Sequence, residues 1–73
     1  MKAKELFGKE VIDAEAKVVG KVADIDLDIG KATIFSIVVK SGLTSRIVIS
    51  PRDIAKVGDT VVLKVARDKI QKA

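Results

Sequence analysis

The sequence predicts an all-β domain: a small antiparallel β-barrel of five to six strands, closed or partly open, with one short helical turn. Val and Ile supply most of the apolar residues, and β-branched side chains favour strands. Polar and apolar residues alternate from position 21 to position 29, as on a half-buried strand. The 73 residues allow a single domain. Its core is expected over about residues 5–65, with 66–73 as a tail that is frayed or partly helical.

The N-terminal segment is expected to form one helical turn anchored by Leu6 and Phe7, followed by a strand over residues 9–12. Residues 13–16 form the predicted turn to the next strand. Asp13 leads this turn because its short carboxylate can bond its own local backbone. No glycine is present in this turn, so its type stays open.

Residues 18–29 are predicted to form a long strand with two distinct faces. Gly20 marks a bend, a bulge or a close backbone approach near its start. The expected polar face consists of Asp24, Asp26 and Asp28, and the expected half-buried face consists of Ala23, Ile25, Leu27 and Ile29.

Gly30-Lys31 offers a tight reversal, since glycine tolerates positive φ. The next run, residues 32–39, is almost entirely apolar or hydroxylated. It is predicted to be the central strand, covered on both faces and paired antiparallel to residues 22–29. Phe35 is accordingly expected in the core.

Later elements are shorter. A polar loop is expected over residues 40–45, with Leu43 either exposed or packed beneath the loop. Strands are expected at residues 46–50 and 60–65. Between these strands, Ser50 and Pro51 are a typical start of a helical turn.

Two further side chains in this region are expected to face the core. They are Ile54 and Val57, which follow the helical turn and precede a turn at Gly58-Asp59.

The residue types present argue against catalysis. His, Cys, Tyr and Trp are all absent, so the usual general base, a nucleophilic triad and a zinc site of imidazole or thiolate ligands are missing. No phosphate-binding loop motif occurs. We therefore expect no enzyme activity, catalytic residue, cofactor or metal ligand.

The same composition bears on location. The absence of cysteine favours a reducing, cytoplasmic setting. The longest uncharged stretch, residues 32–39, is too short to cross a bilayer, so we expect no membrane insertion.

Asp24, Asp26 and Asp28 resemble an alternating acidic ligand set. Carboxylates two residues apart on a strand are about 7 Å apart, too far for all three to hold one ion unaided. Ile29 stands where an EF-hand loop beginning at Asp24 needs glycine. Three readings remain: a solvated face paired with nearby lysines, a docking stripe for a basic partner, or a cation site.

The net charge of +4 makes nucleic acid a possible partner. Only Phe7 and Phe35 are aromatic, so no stacking platform is apparent, and nucleic acid is not favoured. Contacts to a phosphate backbone would fall to the lysines and to Arg46, Arg52 and Arg67.

Several motifs, taken in order, resemble the PRC-barrel family over about residues 5–65. The quoted stretches are Phe7-Gly8-Lys9-Glu10-Val11-Ile12-Asp13, Val19-Gly20-Lys21-Val22-Ala23-Asp24-Ile25, Val48-Ile49-Ser50-Pro51-Arg52-Asp53-Ile54 and Val57-Gly58-Asp59-Thr60-Val61-Val62-Leu63. The family's first turn is usually Asp-x-x-Gly, whereas residues 14–16 contain no glycine.

This resemblance implies a small β-barrel that contacts other proteins and carries no shared catalytic residue. Members include the cytoplasmic part of a photosynthetic reaction-centre subunit and the C-terminal domain of a ribosome maturation factor. Length and charge are most similar to the stand-alone archaeal type, some members of which are linked to cell division.

The apolar residues exceed what a single tiny core needs, so they are either all core or partly an interface. The interface reading predicts an adaptor with a protein partner and a homodimeric state. The alternative function is an RNA- or ribosome-associated factor. The residues predicted to contact a partner are Leu6, Phe7, Leu43, Arg46, Arg52, Val62 and Ile70.

Overall fold

The computed structural model describes residues 1–70, which form a six-stranded sheet flanked by short helical turns. The helix is α1 (Ala3–Leu6), and 3₁₀ turns cover Pro51–Asp53 and Arg67–Lys69. The strands are β1 (Glu10–Ile12), β2 (Val18–Asp28), β3 (Thr33–Ser41), β4 (Ser45–Ile49), β5 (Ile54–Val57) and β6 (Thr60–Leu63). The first two lie where helical turns were expected, and the third lies in the tail expected to be frayed or partly helical; residues 71–73 of that tail lie outside the described residues.

The strand order is β4-β3-β2-β1-β6-β5. All neighbours are antiparallel except β1 and β6, which run parallel from Glu10 opposite Thr60 to Ile12 opposite Val62. The prediction of a purely antiparallel sheet is therefore wrong for this pair. Within residues 1–70, β4 and β5 are edge strands, so hydrogen bonds do not close the barrel-like sheet.

The core lies on one face of the sheet, near the ends of β2 and β3 that are distant from their connecting turn. Its buried apolar residues come from α1 and from every strand except β5, whose Ile54 packs against it, as does Ile70. The buried set is Leu6, Val11, Val19, Val22, Ile37, Val39, Ile47, Ile49, Val61 and Leu63.

Gly20 confirms the predicted close backbone approach. A Cβ atom at this position would overlap the carbonyl of Lys40 and lie 2.9 Å from Val39 Cγ1. Only a residue without a side chain allows β2 to approach β3 this closely.

Asp13 links the β1–β2 turn to the C-terminal segment. Its carboxylate is buried and accepts backbone hydrogen bonds from Glu15 and Lys17 at 2.8 Å and from Arg67 at 2.7 Å. Burial on its own would raise the pKa of Asp13, but these N–H donors, with the Lys17 charge, hold that pKa below its ordinary value. The predicted local role of Asp13 is thus confirmed, and it extends to a distant segment.

Each of the two turns that flank β2 contains one alanine in the left-handed backbone conformation. Ala16, the residue where the family usually has glycine, has φ 63°. In the β2–β3 turn the positive φ falls on Ala32, at 53°, whereas Gly30 has no positive φ. The expectation that Gly30 supplies this conformation is therefore wrong, and an alanine carries the strain in both turns.

The start of the Pro51–Asp53 turn matches its prediction. The Ser50 hydroxyl accepts a hydrogen bond from the Arg52 backbone N–H at 3.3 Å, and proline occupies the first turn position. The residues after it form β5, a strand that the sequence reading did not anticipate. Ile54 packs on the core as expected, but Val57 is 39% exposed because it lies on an edge strand.

Candidate functional site

The far end of the β2–β3 hairpin carries an exposed apolar surface, here called the tip patch. It consists of Leu27, Ile29, Ile34 and Phe35, which are 58%, 80%, 46% and 73% exposed. The expectations that Leu27 and Ile29 are half-buried and that Phe35 lies in the core are therefore wrong. The physical reason is length: β2 has 11 residues and β3 has 9, and the hairpin extends beyond the small core.

Strand register positions the tip patch. Leu27 lies directly opposite Ile34, while the preceding pair joins Asp26 to Ser36. Phe35 is therefore an extra residue in β3, a β-bulge, and a bulge redirects side chains and increases the local twist. A second irregularity lies at Ala23, between the core pairs Val22–Val39 and Ile25–Ile37.

A groove runs beside the tip patch towards the Pro51–Asp53 turn, with a cavity volume of about 690 Å³. Ile34, Phe35 and Val48 supply apolar lining, and Lys31 and Arg52 add positive charge at its margin. Asp28 and Asp53 also line the groove, so it combines apolar side chains with charges of both signs.

The three aspartates of β2 bond to groups near them. Asp24 accepts from the Ile25 N–H, and Asp26 accepts from the Ser36 hydroxyl at 2.9 Å. Asp28 accepts from the Lys31 N–H at 3.1 Å. Over residues 1–70 these carboxylates form no ion pair with a lysine, so that part of the solvated-face interpretation is wrong. No group of metal-ligating side chains gathers in the described chain.

The predicted partner-binding residues do not share one surface. Leu6 is buried in the core, which removes it from any exposed binding face. Leu43, 91% exposed, lies in the β3–β4 turn at the opposite end of the hairpin from the tip patch. Phe7 is 46% exposed beside the start of β1. The remaining residues are the exposed Arg46 and Arg52 and the half-buried Val62 and Ile70.

Of these seven residues, Arg52 and Ile70 line the groove beside the tip patch. The predicted partner-binding set omits the four tip-patch residues, because Leu27 and Ile29 were placed on one face of a half-buried strand and residues 32–39 in a strand covered on both faces. The available signal was the length of the two strands. A hairpin of this length exceeds what so few core residues can cover.

Fold and surface together define a small, mostly β, barrel-like module whose exposed features are apolar and charged surfaces. A family model for the PRC-barrel domain matches residues 1–70, and the chain belongs to that family. No curated protein matches the chain. Within the described residues, no helix has the length and apolar character needed to span a bilayer.

Proposed function

We propose that this PRC-barrel domain is a non-enzymatic, cytoplasmic adaptor that self-associates and docks on a protein partner through its tip patch. The observation that supports this function is the exposure of four large apolar side chains on one end of one hairpin. Contiguous apolar surface on a small domain is costly in water and usually marks an interface. The missing His and Cys are consistent with binding and not catalysis.

The cellular setting we propose is archaeal cell division. Its support is the likeness in length and charge to stand-alone archaeal members of the family. An adaptor in such a setting needs one surface for its own copies and another for a partner, and the hairpin offers two well-separated ends.

Affinity capture with a matched pair of variants tests the adaptor function. The tip variant is Ile29→Ser with Phe35→Ser, and the control is Leu43→Ser, which changes an exposed apolar residue at the other end of the hairpin. Proteins retained from a lysate of the source organism by wild type and control should be lost with the tip variant. Identical retention by all three would contradict the proposal.

An RNA-associated role is the second candidate, and the groove favours it. Phe35 is exposed beside Lys31 and Arg52, and an exposed aromatic ring near cations can stack on a base. Binding of a labelled single-stranded RNA should then fall with salt and weaken in both Phe35→Ala and Arg52→Ala. Absence of binding at low salt would eliminate this role.

A further inference from the structure

A row of cations crosses the outer face of the sheet and ends at the open edge of β4. Ile47 is buried in the core, so its neighbour Arg46 points outward. In the strand register, Lys40 lies opposite both Arg46 and Lys21, and residues directly opposite each other share a face. We call Lys21, Lys40 and Arg46 the cation row.

Only one end of the cation row has a carboxylate on the neighbouring strand. Glu10 on β1 lies opposite Lys21, whereas no strand of residues 1–70 lies beyond Arg46, because β4 is an edge of the sheet. Directly opposed side chains have Cβ atoms about 5 Å apart, where opposite charges stabilise a sheet and like charges destabilise it. The position opposite Arg46 on an added strand is therefore suited to Asp or Glu.

The edge of β4 also offers backbone groups to an added strand. An edge strand presents N–H and C=O groups, and the five residues of Ser45–Ile49 extend over about 16 Å. The inward side chains Ile47 and Ile49 are apolar, and the outward Val48 is half-buried. A matching segment would be extended, with apolar residues on its inner face and a carboxylate opposite Arg46.

The C-terminal segment lies beside this edge, and we call its residues 66–70 the cover. Ile70 lines a cavity of about 570 Å³ together with Ile47, and it lines the groove beside the tip patch together with Val48. Ile47 and Val48 point to opposite faces of β4, so Ile70 lies across the edge between them. Within residues 1–70, the cover adds no strand to the sheet.

The cover is held by contacts other than strand pairing. The Arg67 N–H donates to the Asp13 carboxylate at 2.7 Å, and the N–H groups of Lys69 and Ile70 bond back within their own turn. Ile70 also packs against the core. A loop that covers an edge strand protects it from uncontrolled pairing. Such a loop can give way to a segment that bonds to the backbone of β4.

We propose that the edge of β4 binds an extended segment of a partner protein that carries Asp or Glu opposite Arg46, and that this segment displaces the cover. The bound segment continues the sheet beyond β4, and its carboxylate flanks the cation row as Glu10 does at the other end. A second copy of this chain lacks the required charge, because the edge strands β4 and β5 contain Arg46 and Lys56 but no carboxylate. The site is separate from the tip patch and does not depend on it.

Competition with the cover and screening by salt limit the affinity of this site. The edge is available only while the cover is displaced, so a variant that loosens the cover should bind the segment more tightly. The carboxylate faces exposed cations, so salt should weaken binding. One cross-strand charge pair changes affinity by up to about fivefold, and its reversal to like charges changes affinity by about tenfold.

Two short peptides test this site on the full chain by NMR. The probe is Ser-Thr-Glu-Ile-Thr-Val-Ser, and the control peptide has Lys in place of Glu. Each is also made in reverse order, since a strand can add in either direction. The Glu probe should shift the amide signals of residues 45–49 and slow their hydrogen exchange. The Lys peptide should bind about tenfold more weakly.

Three substitutions separate the parts of the proposal. Arg46→Glu should weaken binding of the Glu probe about tenfold and strengthen binding of the Lys peptide. Lys56→Glu, the same charge change on the other edge strand, is the matched control and should leave both affinities unchanged. Ile70→Ser should strengthen binding of the Glu probe about threefold, because it loosens the cover. A dispersed amide spectrum confirms that each variant is folded.

Each alternative result overturns the proposal. Signals of residues 45–49 that stay unchanged at about 2 mM probe, in wild type and in Ile70→Ser, contradict it, and so does equal binding of the Glu and Lys peptides. Shifts confined to the tip patch would place the peptide there instead. Shifts of residues 45–49 with protein concentration alone would assign the edge to a second copy. Partner capture by the tip patch is a separate measurement, so the adaptor function can hold while this site fails.

Discussion

The two ends of the β2–β3 hairpin differ sharply although each pairs an apolar residue of β2 with an apolar residue of β3. Near the core, Val22 and Val39 face each other and are almost fully buried. Near the tip, Leu27 and Ile34 face each other and are about half exposed. The contrast shows that an apolar strand pattern predicts a strand. It does not predict whether the molecule itself covers the apolar face.

Truncation of one isoleucine at each end of the hairpin should give the largest difference in the free energy of unfolding. Ile37→Ala removes a buried side chain and should lower the free energy of unfolding by about 2–5 kcal/mol. Ile29→Ala removes a side chain that is 80% exposed and should change it by less than about 0.5 kcal/mol. Urea denaturation followed by circular dichroism measures both, and equal losses would show that the tip belongs to the core.

A glycine-to-alanine substitution should give a smaller difference in stability between the two ends of the hairpin. Gly20→Ala forces a Cβ atom into the Lys40 carbonyl and should cost about 1–3 kcal/mol. At Gly30→Ala the nearest atom, Asp28 Oδ1, is 3.6 Å away, which is an ordinary contact. Thermal melts should therefore show a loss at Gly20 and little change at Gly30. A tolerated Gly20→Ala would refute the close approach.

Asp13 should make the stability of the fold depend on pH. The folded state holds the pKa of Asp13 below its ordinary 3.8, so the unfolded chain binds the proton more tightly. The stability that Asp13 contributes is present above about pH 4 and is lost as pH falls through the folded pKa. In Asp13→Asn the melting temperature should be lower at pH 7, and the gap to wild type should narrow below pH 4. A gap that stays the same from pH 7 to about pH 3 would contradict this linkage.

Relief of backbone strain should give the smallest change in the free energy of unfolding. The change should be equal in the two turns that flank β2. Ala16→Gly and Ala32→Gly each place glycine at a positive φ and should raise the free energy of unfolding by about 1 kcal/mol. Ala55→Gly, on exposed β5, is the matched control and should lower it by about 0.5–1 kcal/mol. If neither turn variant stabilises the protein, the left-handed assignments are in error.

Local features were predictable because their causes lie within a few residues. The Asp13 carboxylate accepts hydrogen bonds from the backbone of its own turn, and Gly20 allows a close approach of the Lys40 backbone. Ser50 caps the turn that Pro51 begins. The parallel pairing of β1 with β6 was not predictable in this way. Strand patterns carry no information on direction, and that pairing depends on how the whole chain returns across the sheet.

The candidate site was less predictable than the fold. An apolar side chain that faces a partner has the same chemistry as one that faces the core, so Phe35 was assigned to the wrong environment. The bulge that exposes Phe35 arises from the register between β2 and β3. Register depends on both strands together, so the sequence of one strand does not predict an extra residue in it.

Parallel pairing of β1 with β6 also bears on the order in which the protein folds. The paired residues Glu10 and Thr60 are far apart in the chain, whereas β2–β3, β3–β4 and β5–β6 join consecutive segments. Closing a long loop costs entropy before its contacts can form, so local hairpins assemble first and β1 joins β6 late. During synthesis, Val61 and Leu63 emerge after the other buried core residues, and the core stays incomplete until then. Until then the nascent chain exposes the edge of β1 that later pairs with β6, and chaperone binding would protect that edge.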